Sequence, residues 1–280
     1  MNSFMLSNAE LCKLYSDLGE KKVNNNLWKF FVLSMMAGAF IAIGGSSSSL
    51  ASHAVANPGL AKLVSGCIFP VGLMMIVFIG GELFTGDCMM ILGVIDKKYS
   101  VLKMIERLCI VLVGNLIGAL LVVFFVYVSG QYDMSAGGLG AYTIKVAYGK
   151  ATISFGKAVC SGIMCNVLVC IAVLMGAAAK DASGKVWGIF FPIMAFVVGG
   201  YEHCVANMYY IPAGLIAKTN ELYASKAVEM YGFTQEMLDA LNVKNFLITN
   251  LIPVVIGNVL GGMLFVSVPL YIITKTSSKN

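Results

Sequence analysis

The stretch that decides the fold begins Val186-Trp187-Gly188-Ile189-Phe190-Phe191-Pro192-Ile193-Met194-Ala195-Phe196-Val197-Val198. It breaks at Gly199-Gly200 and continues Tyr201-Glu202-His203-Cys204-Val205-Ala206-Asn207. A histidine beside a glutamate, that deep in an apolar run, is costly unless it lines a polar path. An earlier run, Cys67 to Ile79, breaks the same way at Gly80-Gly81 and continues Glu82-Leu83-Phe84-Thr85-Gly86-Asp87. Two glycine-interrupted apolar segments in corresponding positions of two halves point to a central binding or conduction site between them.

The rest of the chain supplies the solvent for that reading. Hydrophobic residues make up 59% of the 280, charged residues 12%, and the mean hydropathy is +0.85. A soluble domain carries about a quarter charged residues. Apolar stretches run from Trp28 to Leu50, Leu63 to Ile95, Ile105 to Val128, Phe155 to Ala178, Trp187 to Ile211 and Phe246 to Ile273. Each approaches or exceeds the ~20 residues a membrane-crossing helix needs, and no period-2 alternation suggests a barrel. The expectation is an all-α membrane protein with six transmembrane helices, the second and fifth broken.

The amino-terminal stretch to Asn26 is polar and lacks the basic-then-apolar order of a cleaved signal. Ser7 and Glu10 fit a capping box, and Leu11, Leu14, Tyr15 and Leu18 recur on one face, so Ser7 to Val23 reads as an amphipathic helix. Lys and Arg concentrate in Asp96–Arg107, in Lys180–Lys185 and at both ends. The positive-inside rule then puts both termini in the cytoplasm of a multi-pass protein of the cell membrane. The expected organisation is one membrane-channel domain over 1–280, with a cytoplasmic helix in 1–26 and six channel helices in 28–274. Ser46 to Ala61, with four serines, reads as an outer loop, and Pro212 to Lys244 as a long outer connection with helical runs at Glu221–Met230 and Thr234–Leu241.

Internal symmetry organises the helices. Gly114-Asn115-Leu116-Ile117-Gly118 in the third span recurs as Gly257-Asn258-Val259-Leu260-Gly261 in the sixth. Three helices per half is an odd number, so the halves enter from opposite sides and the repeat is inverted. The small residues also allow close helix packing, which is the plainer reading of the motif.

Polar groups at depth are few. His203 follows one break, and Thr85 sits after the other, where its hydroxyl can orient an imidazole. Glu82 and Glu202 read as structural anchors of the breaks, with Asn207 close by, rather than as a cation filter, which uses carboxylate rings. Bulky apolar side chains surround them: Phe69, Leu73, Leu83, Phe84 and Phe196. Apolar constrictions resist bare ions and pass small, nearly neutral species. The eight cysteines show no metal-ligand spacing and read as small hydrophobes in a reduced setting. There is no basic-aromatic patch for nucleic acid, no GxxxxGK[ST], no HExxH and no nucleophile elbow. Neither enzyme activity, cofactor nor metal is expected. A secondary transporter with rocking halves and a membrane-embedded redox subunit remain the other classes.

The segments Glu82-Leu83-Phe84-Thr85-Gly86, Gly200 to Met208 and Ile256-Gly257-Asn258 together resemble the formate/nitrite transporter family, in order and spacing over nearly the whole chain. The overall text is most similar to that family's clostridial hydrosulfide-channel branch. The resemblance implies an aquaporin-like protomer with inverted halves, assembled as a homopentamer in the lipid bilayer with one pore per protomer. It implies small monovalent anions or their conjugate acids as substrates, hydrosulfide first, with formate and nitrite. A proton-coupled formate or nitrite transporter is the alternative. By match, His203, Thr85 and Asn166 form the pore centre. Phe69 and Phe196 form the outer constriction, and Leu73 and Leu83 with Phe84 the inner one. Lys150 and Lys29 attract anions, while Glu82, Glu202, Asn207 and Asn258 hold the breaks.

Overall fold

A computed structural model describes residues 5–277 of the chain. The ends of the unit expected over 1–280, residues 1–4 and 278–280, lie outside it. Apart from one isolated bridge between Met5 and Ala179, the described chain is helix and connection. Five helical stretches are long and apolar enough to cross a membrane: Leu27–Ser52, Pro58–Ile79, Val101–Val128, Phe155–Ala178 and Asn245–Lys275. Three shorter apolar helices accompany them, Phe84–Ile95, Ala182–Val198 and Cys204–Ala217.

Helix α1 (Asn8–Asn24) starts where expected, because Ser7 and Glu10 cap each other: Ser7 N–H donates to Glu10 Oε2 at 2.7 Å and Glu10 N–H to Ser7 Oγ at 3.3 Å. Its inward face is Leu11, Cys12, Ser16, Gly19 and Val23. Asn26 caps α2 (Leu27–Ser52). The second apolar run is α3 (Pro58–Ile68) and α4 (Val71–Ile79), joined at Phe69-Pro70. It stops at Gly80, whose φ of 107° favours a residue without a Cβ. Helix resumes as α5 (Phe84–Asp87), a tight turn over Cys88–Met90 and α6 (Ile91–Ile95). Then come α7 (Val101–Val128), α8 (Gly138–Ala151) and α9 (Phe155–Ala178). The decisive stretch forms α10 (Ala182–Val198), a non-helical link, and α11 (Cys204–Ala217). Gly200 takes φ 69° in that link. The long connection folds as α12 (Glu221–Tyr231) and α13 (Gln235–Ala240). In the final stretch, wide i→i+5 turns at Asn245–Leu251 and Met263–Ser267 flank α14 (Ile252–Gly262), before α15 (Val268–Ser277).

The repeated GN-x-x-G motif makes the same packing twice. A Cβ on Gly118 would sit 1.9 Å from the Met35 carbonyl oxygen, and one on Gly38 would sit 2.0 Å from that of Asn115, so α7 lies backbone to backbone on α2. In the second half, a Cβ on Gly257 would meet the Val159 oxygen at 2.3 Å and one on Gly261 the Ile163 oxygen at 2.4 Å, which sets α14 on α9. Close approach of this kind is how membrane helices gain dispersion energy where lipid is as apolar as the partner.

One expectation is corrected. Ser46 to Ala61 is not a loop: α2 runs through Ser52, α3 begins at Pro58, and residues 53–57 alone connect them. Ser46, Ser48 and Ser52 are buried and bonded inside the bundle. Ser52 Oγ donates to Ser48 O at 2.8 Å and Ser46 Oγ to Gln131 Oε1 at 2.7 Å, which lets hydroxyls sit in a helix without competing with its ladder. The connection between α7 and α9 contains α8, which carries Lys150.

Candidate functional site

The two breaks are built alike. Asn115 reaches the first: its Oδ1 accepts from Phe84 N–H at 3.0 Å, and its Nδ2 donates to Glu82 O at 2.9 Å and Ser34 O at 2.7 Å. Asn258 does the same at the second: Oδ1 accepts from Cys204 N–H at 2.9 Å, and Nδ2 donates to Glu202 O at 3.0 Å and Gly162 O at 2.8 Å. An interrupted helix leaves backbone groups that lipid cannot satisfy, and an asparagine amide supplies both a donor and an acceptor for them. The residues before the resumed helices match in backbone geometry, Leu83 at φ −108°, ψ 122° and His203 at φ −110°, ψ 117°. The structural counterpart of His203 in the first half is therefore Leu83, not Thr85.

Thr85 and His203 nevertheless meet. Thr85 Oγ1 lies 3.0 Å from His203 Nε2, and both residues are buried. The other ring nitrogen, Nδ1, accepts from the Ala206 N–H at 3.0 Å, so His203 is the N-cap of α11. A backbone N–H can only donate. Nδ1 thus carries a lone pair, the ring proton sits on Nε2, and Nε2–H donates to Thr85 Oγ1. The Thr85 hydroxyl hydrogen is left to donate elsewhere. Asn166 stands behind this pair, with Nδ2 donating to the Thr85 carbonyl at 3.2 Å and to the Asn258 carbonyl at 2.6 Å. Its amide hydrogens are held by the frame, which gives it a positioning part.

On one side of the pair a cavity of about 660 Å³ opens, with Phe69, Phe196 and His203 in its wall. Phe69 and Phe196 meet edge to face with ring centroids 5.4 Å apart, and the Phe196 ring lies 5.9 Å from the imidazole. Lys62, Lys145 and Lys150 also line this cavity. Lys150 is not a free charge: Nζ donates to Glu202 Oε1 at 2.9 Å. Glu202 Oε2 accepts from Asn207 Nδ2 at 2.7 Å and Asn250 Nδ2 at 3.1 Å. The carboxylate therefore accepts from three donors, and the Glu202 backbone N–H donates separately to Ser161 Oγ at 3.0 Å. Lys62 and Lys145 are the cavity cations without a carboxylate within ion-pair distance among the described residues.

On the other side, Leu73, Leu83 and Phe84 are buried apolar groups in one continuous core. Beyond them Glu82 bonds Leu33 O through its N–H at 3.1 Å and pairs with Lys22 at 2.6 Å. Lys22 comes from α1. Burial works against its charge, but Asp87 and then Glu82 outweigh that and hold its pKa above the ordinary lysine value. Nearby, Lys98 hydrogen-bonds Asp17 and draws that carboxyl below its usual range. Lys29 lies exposed in the first turn of α2, its N–H bonded to Asn26 Oδ1 at 3.1 Å.

The structure thus joins His203, Thr85, Phe69 and Phe196, and gives Glu82, Glu202, Asn207 and Asn258 their bonds at the breaks. It adds Lys22, Lys62, Asn115, Lys145 and Asn250. Asn115 had a sequence signal, since it occupies the place of Asn258 in the repeated motif. Lys22 and Asn250 had none, because their partners lie far along the chain.

The chain matches the formate/nitrite transporter family over residues 9–272. It is 38% identical over 285 residues to the probable formate transporter of Methanothermobacter thermautotrophicus, covering 95% of this chain and 96% of that one. Its structure is similar to that of a pentameric formate channel with formate bound, with a TM-score of 0.78, 32% identity, and 88% of this chain and 97% of that one covered. An aquaglyceroporin from Plasmodium falciparum shares the fold at a TM-score of 0.50 and 13% identity, over 89% of this chain and 100% of that one. The family and these neighbours are channels and transporters rather than enzymes, and the chain, an all-helical multi-pass membrane protein, belongs to the formate/nitrite transporter family.

Proposed function

We propose that this chain forms a pore for small monovalent anions and their conjugate acids, with Thr85 and His203 as the groups that meet the permeant species. The observation that carries this is the Thr85–His203 contact, buried at the base of a lysine-lined cavity and behind the Phe69–Phe196 pair. Lys62 and Lys145 raise the anion concentration in the cavity. The paired rings then remove water, which is costly for a charge. The Thr85 hydroxyl, polarised by the imidazole N–H on its oxygen, donates its hydrogen to the dehydrated anion. The N-terminal end of α11 adds its partial positive charge at the same depth. Leu73, Leu83 and Phe84 bound the passage on the inner side.

The wider reading is a single domain with six crossings in two inverted halves. Ala182–Val198 and Cys204–Ala217 make one crossing together, and Phe84–Ile95 completes the one begun by Pro58–Ile79. Both termini face the cytoplasm of a cell-membrane protein, and five copies assemble, the number taken from the pentameric formate-bound relative. Formate is the first substrate to test, since the relatives are formate transporters and channels. Hydrosulfide and nitrite belong to the same class of small anions with weak conjugate acids. Flux of formate, hydrosulfide, nitrite and chloride into proteoliposomes, measured in parallel with wild type and Thr85→Val, tests the reading. Formate or hydrosulfide flux that collapses in the variant is expected. Chloride moving as fast as these anions, or flux indifferent to the substitution, overturns it.

A further inference from the structure

At the inner side of Thr85, α1 delivers one ammonium to two carboxylates. Lys22 Nζ lies 2.6 Å from Glu82 Oε2 and is in direct contact with Asp87 Oδ1. Asp87 ends the short helix that Thr85 also occupies, and its side chain is 1% exposed; that of Glu82 is 10% exposed. Asp87 Oδ2 is buried with no hydrogen-bond donor among the described residues. The charges do not balance. With both carboxylates ionised, one ammonium leaves a net negative charge in a largely buried site that meets water only past Lys22.

Among the described residues the surroundings offer no second cation. Tyr15 from α1, Tyr99 from the turn before α7, Cys88 from the turn after α5 and Cys170 from α9 lie around the cluster, and none carries positive charge. Glu20 adds negative charge, and it is turned with Asp17 toward Lys98. Arg107 on α7 donates instead to the Val23 carbonyl at 2.6 Å and lies over the Phe30 ring. Two carboxyl groups that share a site cannot both ionise cheaply, and their protons are lost in two steps that belong to the pair. A proton shared between them makes the cluster neutral and gives the orphaned oxygen a hydrogen to hold or to meet.

We propose that Glu82 and Asp87 share one proton beside Lys22, so that the inner end of the passage contains a buried proton-binding site. The proton comes from and returns to the inner aqueous phase: one carboxylate takes up H⁺ to become a carboxyl, and the reverse step restores the charge. Occupied, the site is neutral. Empty, it places an uncompensated negative charge two residues from Thr85 and opposes an anion there.

Infrared difference spectroscopy of the reconstituted full chain reads the site directly. Wild type at neutral pH is expected to show an un-ionised carboxyl band that disappears as the pH is raised. Asp87→Asn and Glu82→Gln each leave one carboxylate for one ammonium, so the band is lost in both, with oligomer retention checked by size exclusion. A wild-type spectrum without the band, or a band kept in both variants, overturns the site. The wild-type titration decides alone if a variant fails to assemble. The transport arm rests on the proposed function: formate flux is expected to fall as inner pH rises in wild type and to lose that dependence in Asp87→Asn. The same pH dependence in both overturns the link to permeation. A band with the expected behaviour in a protein that moves no formate overturns the transport reading and leaves the proton site standing.

Discussion

Thr85 Oγ1 and His203 Nε2 stand 3.0 Å apart across 118 residues of chain, and each reaches that point from a different helix break. The cap bond from Ala206 N–H to Nδ1 fixes which ring nitrogen bears the proton, and so leaves the single Thr85 hydroxyl hydrogen free to donate away from the imidazole. The two residues are one donor assembly, with the imidazole polarising the hydroxyl.

Thr85→Val keeps the shape of the side chain and removes the hydroxyl. A hydrogen bond to a charged group contributes about 1.5–3 kcal/mol, so flux is expected to fall roughly ten- to hundredfold while the oligomer survives. His203→Phe removes the same polarisation and also the α11 cap, which costs about 0.5–2 kcal/mol of stability. Both variants should therefore melt lower, His203→Phe through the lost cap and Thr85→Val through the buried Nε2–H left without its acceptor, at about 1–3 kcal/mol. Proteoliposome flux and thermal unfolding of both variants make the comparison.

The two kinds of cavity lysine should behave differently. Lys62 is a cavity cation outside any ion pair among the described residues, so Lys62→Ala should lower uptake more at low than at high ionic strength, since salt screens over about 10 Å at 0.1 M. Lys150 is bound to buried Glu202 at 2.9 Å. Lys150→Ala leaves that carboxylate with amide donors but no cation, and breaking a buried pair in this way costs about 3–5 kcal/mol. Loss of assembly in Lys150→Ala, partly restored by adding Glu202→Gln, is the expected pattern. A salt-dependent flux change without loss of stability in Lys150→Ala would return Lys150 to a simple attracting role.

How much of this is legible in the sequence depends on the range of the interaction. The breaks are written locally, in Gly80-Gly81 and Gly199-Gly200 with glutamates just beyond, because lipid makes such residues expensive. The packing is written as a repeat, GN-x-x-G at 114–118 and 257–261. Glu202 is legible as an anchor, but its partner Lys150 sits 52 residues away on α8, and no local pattern links the two. Lys22 looks like one more solvated charge on an amphipathic helix until the fold inserts it between Glu82 and Asp87. The serines of 46–52 misled in the other direction: their composition is that of a loop, and only the neighbours that accept and donate to them explain a helix.

Asn115 and Asn258 offer a test of the repeat itself. Replacing either by Ala orphans a buried N–H and a carbonyl at one break, at about 1–3 kcal/mol for each unsatisfied group. Asn115→Ala should loosen the first break and Asn258→Ala the second, and the two losses should be similar because the bond sets are the same. Hydrogen exchange at Phe84 and Cys204 reports each break separately. Protection unchanged at Phe84 in Asn115→Ala would mean that the asparagine is not what holds the break.

Width is the remaining variable. Phe196 touches both the Phe69 ring and the imidazole, so Phe196→Ala should open the cavity directly onto His203, raise flux and admit larger monocarboxylates. Leu73→Ala should relax exclusion on the other side of the pair, because a bulky apolar side chain at a constriction sets both its diameter and the water it removes. Neither change should bring cation conduction. Lys62 and Lys145 still face the cavity, the nearest carboxylate, Glu202, is neutralised by Lys150, and the Thr85–His203 pair offers a passing ion a donor rather than an acceptor. Reversal potentials in asymmetric salt, with formate and lactate compared, give the measurement: a shift toward cations would mean that the lysines do not set the sign, and unchanged size exclusion would mean that these side chains do not set the width.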